Sequence, residues 1–416
     1  MESIEMPPDS AALAHAMSEE LVELRREFHR HPELSFAEVR TSARVAELLS
    51  EVPGLQVQTG VARTGVVATL NPGQRPVVAL RADMDALPIQ ETNDHDFVSH
   101  NDGVMHACGH DAHSTMLIGA ARLLAEQHSR EGIKGTVKFI FQPAEELAGP
   151  DGRTGAQVML DEGVYNDVDV AVAIHVNPRI HADSLLTTKG PIMASVDYFD
   201  ATIKGTGGHG GSPHNTVDPT WMLGIVLQSI HGIVARRTSP LDACALSVGT
   251  IEAGTMNSII PDSVRLTGTV RSYSHESREE MLHQLQQSFE LTKPLGGDYE
   301  LTLTPGEVVT ENHPLVTEHI QQAYQRLFPY FELIDQPFGL EGEDFGHVTQ
   351  RVPGAIFFVG AGYETPGEIR DLHTPNFGID ERCLPVGTAM FREVALSLLD
   401  SWDWKTLQEE REKRNR

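Results

Sequence analysis

The stretch Val137-Lys138-Phe139-Ile140-Phe141-Gln142-Pro143-Ala144-Glu145-Glu146 decides how this chain is read. Its first half is an apolar run of strand length, rich in aromatic and β-branched residues, and it reads as a buried strand. The strand runs straight into a proline turn that carries two adjacent carboxylates. Two other segments repeat the design. Val168-Asp169-Val170-Ala171-Val172-Ala173-Ile174 reads as a strand that delivers His175 at its end. Ala355-Ile356-Phe357-Phe358-Val359-Gly360 reads as a third, followed by a loop with Asp371-Leu372-His373. Open α/β sheets place their ligands at the carboxyl ends of strands, so an active site is expected there.

Between strands the pattern turns helical. Ser18–Leu49 has helical periodicity interrupted at Pro32, and His113–Gln127 carries Met116, Leu117, Ala120, Leu123 and Leu124 on one stripe. Further strands are expected at Thr64–Leu70 and Pro76–Arg81. Alternation of strands and helices predicts an α/β domain whose mixed sheet is largely parallel and flanked by helices. Residues 190–305 have a different rhythm. Strands at Val196–Lys204, Ala245–Ile251, Ser263–Ser272 and Tyr299–Thr304 enclose helices at Asp218–Arg236 and Ser274–Leu291. That β-α-β-β-α-β order predicts a ferredoxin-like α+β domain. It is inserted into a larger one made of residues 1–189 and 306–416, which resumes with a helix at Pro314–Phe328. The charged tail from Lys405 to Arg416 is expected to fray.

The 416 residues suffice for two domains. With 32 basic and 59 acidic side chains the net charge is −27. Such a surface repels nucleic acid and anionic lipid, and neither is expected as a partner. No basic region precedes an apolar run at the N-terminus, and no apolar segment is long enough to span a bilayer. Cys108, Cys244 and Cys383 are few and far apart, which argues against a disulfide framework and for a reducing, cytoplasmic setting.

The richest chemistry lies in Met105-His106-Ala107-Cys108-Gly109-His110-Asp111-Ala112-His113. Thiolate and imidazole are the donors that borderline divalent metals prefer. We read Cys108, His110, Glu146, His175 and His373 as the ligands of two divalent ions, with Gly109 letting Cys108 and His110 both turn inward. Glu145 and Glu146 divide the labour: one carboxylate ligates, and its neighbour takes a proton from metal-activated water. Amide hydrolysis suits this set best. His106 and His113 are read as supporting or structural. Asp83 and Asp85 either orient a ligating histidine or cap a turn.

Together these residues resemble the aminoacylase/carboxypeptidase family of co-catalytic, dinuclear metallopeptidases, in the branch of hippurate hydrolases, N-acyl-amino-acid amidohydrolases and auxin-conjugate hydrolases. The likeness runs over nearly the whole chain. It is carried by the Phe28–Leu34, Arg81–Pro88, His106–His113, Gln142–Glu146 and Ala173–His175 segments, and further on by Gly205–His214, Asn257–Pro261, Gly342–Phe345 and His373–Phe377. The resemblance implies a catalytic domain holding two metals and an inserted lid or dimerisation domain, hence a homodimer or higher homo-oligomer. It implies Glu145 as general base and Glu146 as ligand. It further implies His209 as oxyanion stabiliser, and Asn257 with Arg271 as the grip on a substrate carboxylate. Other branches carry His-x-Asp where this chain has Asp83-Met84-Asp85, and an Asp bridging the metals. Here Cys108 and His110 take up ligation, which softens the site and leaves the metal open between zinc, manganese, cobalt and nickel. The expected substrate is an N-acyl amino acid. A dipeptidase or carboxypeptidase, or a non-catalytic metal-binding relative, is the alternative. Gly205-Thr206-Gly207-Gly208-His209-Gly210 also satisfies the dinucleotide-binding pattern, but no helix opens within it.

Overall fold

The computed structural model describes residues 9–363 and 370–400. The tail from Lys405, the first eight residues and part of the connection leading to His373 lie outside the described residues. The chain divides into two compact units, one of residues 1–190, 311–337 and 347–416 and one of residues 191–310 and 338–346. Residues 338–346 thus group with the inserted segment by contact, although in sequence they follow the point at which the larger domain resumes.

The first unit is built on an eight-stranded mixed sheet. Its order is Leu55–Val61, Gly65–Leu70, Thr136–Gln142, Val77–Asp83, Val170–His181, Gly354–Gly362, Ser184–Leu186 and Glu332–Ile334. The four central strands run parallel. They are apolar and buried on both faces, as a parallel sheet covered by helices requires. Helices Ser18–His29, His110–Glu131 and Cys383–Asp400 contribute to the same core, where Phe357 meets Phe391 edge-on at a centroid distance of 6.0 Å.

Two boundaries differ from expectation in ways that matter for the site. The strand carrying His175 does not stop there but runs on to His181. On one flank, however, its pairing with Val77–Asp83 ends at Ala173, so His175 lies just past that ladder while still paired to Phe358 on the other flank. The helix expected from His113 begins at His110, because Gly109 adopts a left-handed conformation (φ 92°) and closes the preceding loop early. The strand Leu55–Val61 escaped the sequence reading. Its alternate residues are solvent-facing and polar, and it lies at the sheet edge, so it lacks the apolar run that marks its neighbours.

The second unit has the strands Ser195–Lys204, Cys244–Ala253, Ser263–Ser272 and Asp298–Pro305 in one antiparallel sheet, with helices Pro219–Arg236 and His275–Glu290. The last two cross-connected strands sit beside the first, which is the ferredoxin-like arrangement. Asp218 caps the first helix by accepting from the Thr220 and Trp221 amides, ahead of Pro219 at the first helical position. No helix among the described residues is long and apolar enough to cross a membrane. Phe357→Ala should cost about 3–5 kcal/mol, the usual penalty for emptying a buried aromatic site, measured as a lower denaturation midpoint in urea.

Candidate metal centre

The parallel register sets the site. Asp83 pairs with Gln142 across adjacent strands, so the turn carrying Glu145 and Glu146 emerges beside the segment carrying Asp83 and Asp85. Asp85 then clamps that turn: its two carboxylate oxygens accept from the Glu145 amide at 3.1 Å and the Glu146 amide at 3.0 Å. Ser35 donates to the same carboxylate at 2.6 Å.

Onto this floor the helix start brings Cys108 and His110. A side chain on Gly109 would meet Val176 Cγ2 at 2.4 Å, so the backbone here must be bare as well as left-handed. Cys108 Sγ lies 3.4 Å from His175 Nε2. His175 Nδ1 donates to the Val176 carbonyl at 2.7 Å, which leaves Nε2 as the lone-pair nitrogen facing the thiol. His373 Nε2 lies 3.3 Å from Glu146 Oε1, and the His373 amide is tied to the Ala107 carbonyl at 2.8 Å. His110 Nε2 stands 3.8 Å from Glu146 Oε1 and 3.9 Å from Glu145 Oε2. All five residues read from the sequence as ligands, and Glu145 with them, are thus brought together. Cys108, His110 and His175 form one compact donor group; Cys108, Glu146 and His373 form another; and His110 with Glu145 and Glu146 a third.

These donors fit divalent metal. Both nitrogens of fully buried His110 and Oε1 of Glu146 lack a hydrogen-bond partner, an arrangement that is costly unless a cation satisfies it. His110 Nδ1 does approach Asp85 Oδ1 at 3.3 Å, but as a charge contact without hydrogen-bond alignment. Burial pulls the His110 pKa down, yet Asp83, Asp85 and Glu146 outweigh it and raise it to about 10. Burial, then Glu146 and Glu145, pushes the Cys108 thiol well up. Thiol, imidazole and carboxylates therefore compete for protons that metal ions would displace. Cys108 belongs to two of these donor groups.

His113 is a supporting residue. Its Nδ1 lies 2.6 Å from Asp83 Oδ1 and its Nε2 accepts from the Val176 amide at 2.9 Å, so both nitrogens are spoken for. Asp83 also takes the buried Arg81 guanidinium at 2.8 Å, and its Oδ2 is 3.8 Å from His110 Nε2. His106 is fully buried, with neither nitrogen partnered, and burial lowers its pKa to about 4.

His209, Asn257 and Arg271 belong to the second unit. His209 sits in a two-residue strand paired with Ile259–Ile260, and its Nδ1 accepts from the Gly211 amide at 2.9 Å, so the neutral ring carries its proton on Nε2. Asn257 is exposed in a turn. Arg271 donates through Nη1 to the Leu340 carbonyl at 2.9 Å. The glycine-rich Gly205–Gly210 segment leads into a short turn, and the helix opens only at Pro219, so no helix N-terminus meets the glycines.

Glu38 was invisible to sequence reasoning. Its Oε1 accepts from the amides of Phe36 and Ala144, both at 2.9 Å, and both residues have positive φ. Thr64 donates to Oε2 at 2.5 Å. Glu38 thereby fixes two strained backbone positions, one of them in the turn that presents the acidic pair.

A cluster of thiol, imidazoles and carboxylates, buried except at His373, suits a metal-dependent hydrolase of amide or peptide bonds. The chain belongs to the peptidase family M20/M25/M40, whose model matches residues 79–397. It is 38% identical over 374 residues to thermostable carboxypeptidase 2 of Saccharolobus solfataricus, covering 88% of this chain and 92% of that protein. It is 37% identical over 383 residues to an N-acetylcysteine deacetylase of Bacillus subtilis, covering 92% and 97%. Among solved structures it resembles the Bacillus subtilis YXEP protein, described as a dinuclear metal binding peptidase from the M20 family, with a TM-score of 0.79, 33% identity, and coverage of 93% and 99%.

The Glu38 pKa is raised from 4.5 to about 7, first by burial and then by the Asp85 carboxylate. A native group that holds its proton more tightly than the unfolded chain loses stability as pH rises from about 4.5 through 7. Glu38→Gln, which keeps an amide-accepting oxygen, should flatten that fall; urea denaturation from pH 5 to 8 compares the two slopes.

Proposed function

We propose that this enzyme cleaves the amide bond of N-acyl amino acids, releasing a carboxylic acid and a free amino acid. The convergence of Cys108, His110, Glu146, His175 and His373, with Glu145 beside them, carries this reading. Kinship with an N-acetylcysteine deacetylase supports the substrate class. Two divalent ions held by the five ligands would supply Lewis acidity to the scissile carbonyl and to a water.

The chain's own residues do the rest. Glu145 takes a proton from the attacking water and returns it to the leaving amine nitrogen. Asp85 holds the Glu145 and Glu146 amides, which fixes the backbone of the turn that carries the base. His209 donates its Nε2 proton to the developing oxyanion; the Gly211 amide on Nδ1 supports that tautomer. Asn257 and Arg271 grip the substrate carboxylate, with the guanidinium donors not turned to Leu340 serving as the fork. These roles rest on the family resemblance and on each residue's own surroundings. Assembly into a homodimer through the second unit, and work in the cytoplasm, belong to the same proposal.

A panel of N-acetyl and N-benzoyl amino acids against dipeptides, run with zinc, manganese, cobalt and nickel in turn, tests the reading. Faster turnover of dipeptides would replace it with a peptidase. Glu145→Ala should lower kcat by about 10²–10⁴-fold with metal content unchanged. Equal loss of metal and activity would instead make Glu145 a ligand. Arg271→Ala should raise KM by roughly ten- to hundredfold for substrates with a free carboxylate, the worth of a charge-assisted pair. An unchanged KM removes Arg271 from the site.

A further inference from the structure

The short strand pair that holds His209 also fixes what stands beside it. In the pairing of Gly208–His209 with Ile259–Ile260, His209 lies directly opposite Ile259. Residues opposite each other in an antiparallel pair project from the same face, with Cβ atoms about 4.5–5.5 Å apart. One step along, the Gly210 amide donates to the Ser258 carbonyl at 2.8 Å. Hydrogen-bonded and non-hydrogen-bonded pairs alternate along such a ladder, so His209 and Ile259 form the second kind, whose side chains approach more closely. His209 is exposed, and Ile259 is 50% exposed. Half of the isoleucine surface is thus open to whatever the imidazole meets.

Glycines clear the rest of the approach. Gly207, Gly208, Gly210 and Gly211 flank His209. A side chain on Gly211 would stand 3.2 Å from His209 Cε1 and Nδ1, and one on Gly210 would stand 2.9 Å from the Ser258 carbonyl oxygen. The imidazole is therefore stripped of neighbours along its own segment, and the facing strand supplies an apolar one. The turn from Met256 to Ile259 is closed by the Ile259 amide donating to the Met256 carbonyl at 3.2 Å. It carries Asn257, so the apolar wall and one half of the carboxylate grip stand on a single turn.

The connectivity of an N-acyl amino acid says which part of it Ile259 meets, given the proposed role of His209 as donor to the scissile carbonyl oxygen. The acyl group begins two bonds from that oxygen, whereas the side chain of the amino acid begins four bonds away, beyond the amide nitrogen. An apolar group within about 5 Å of the imidazole reaches the first and not the second. We propose that Ile259 is a specificity-determining residue for the acyl group. Its open face covers the carbon chain or ring on the acyl side of the scissile amide, and the apolar area so removed from water favours acyl groups longer than acetyl. The lone methyl of an acetyl group covers little of that face.

The test compares the parent chain with Ile259→Ala and with Leu303→Ala, which removes an exposed leucine elsewhere in the same unit. With the best metal of the panel, kcat/KM is measured for N-acetyl, N-butanoyl, N-hexanoyl and N-benzoyl forms of one amino acid, and for N-acetyl forms of several. Ile259→Ala should lower the hexanoyl-to-acetyl and benzoyl-to-acetyl ratios about tenfold, with the ranking among amino acids kept and Leu303→Ala matching the parent. A ratio is untouched by any fraction of a variant that fails to fold. Equal ratios in the parent and Ile259→Ala would overturn the proposal and leave the N-acyl amino acid reading standing. A change confined to the amino-acid series would overturn it too, and would move Ile259 to the other side of the amide. No turnover of any N-acyl amino acid by the parent would remove that reading and this proposal together.

Discussion

The alignment of Asp83 with Gln142 across two parallel strands is the constraint on which the centre depends. Buried Arg81 locks it, donating from Nε to Gln142 Oε1 at 3.0 Å and from Nη1 to Asp83 Oδ2 at 2.8 Å. A one-residue slip would turn every side chain to the opposite face of the sheet. Asp83 would lose His113, Asp85 would lose the Glu145 and Glu146 amides, and the acidic pair would leave the cysteine loop. The site is a property of strand register first and of its ligands second.

That register concentrates charge where water does not reach. Asp83, Asp85 and His110 are fully buried, and Glu145 and Glu146 are nearly so. Burying such charges costs several kcal/mol each, and mutual attraction offsets it only when every donor and acceptor is matched. Here the matching is incomplete: His110 has two unpartnered nitrogens and Glu146 an unpartnered oxygen. Where it is complete, as at His113, the residue is inert support. The contrast between His110 and His113, three residues apart on one helix, separates a residue left with unmatched nitrogens from one that only braces the floor.

The sequence made the central strands plain because burial on both faces leaves an apolar run, as at residues 77–80 and at Gly354–Gly362. Glu146, His175 and His373 could be picked out because each ends or follows such a run, and Cys108 and His110 because a thiol and several imidazoles crowd one short segment. Glu38 was not, since it sits in an irregular segment far from any strand end and acts by accepting backbone amides, which no residue pattern announces. Nor was the extent of the His175 strand, because its continuation to His181 is held by pairing to Gly354–Gly362, a partner far away in sequence.

His110 and Asp111, neighbours at the start of one helix, face different clusters. His110 enters the donor set of Cys108, Glu146 and His175, while Asp111 turns to Arg25 and His29. Successive residues in the first turn of a helix point about 100° apart, so one turn can serve two clusters at once. Left-handed Gly109 fixes where that turn begins, and with it the direction of both side chains. Rotating the helix start to improve one cluster would spoil the other. The bare, left-handed glycine between Cys108 and His110 is therefore demanded twice, by the approach of Val176 and by the need to aim two charged neighbours at separate partners.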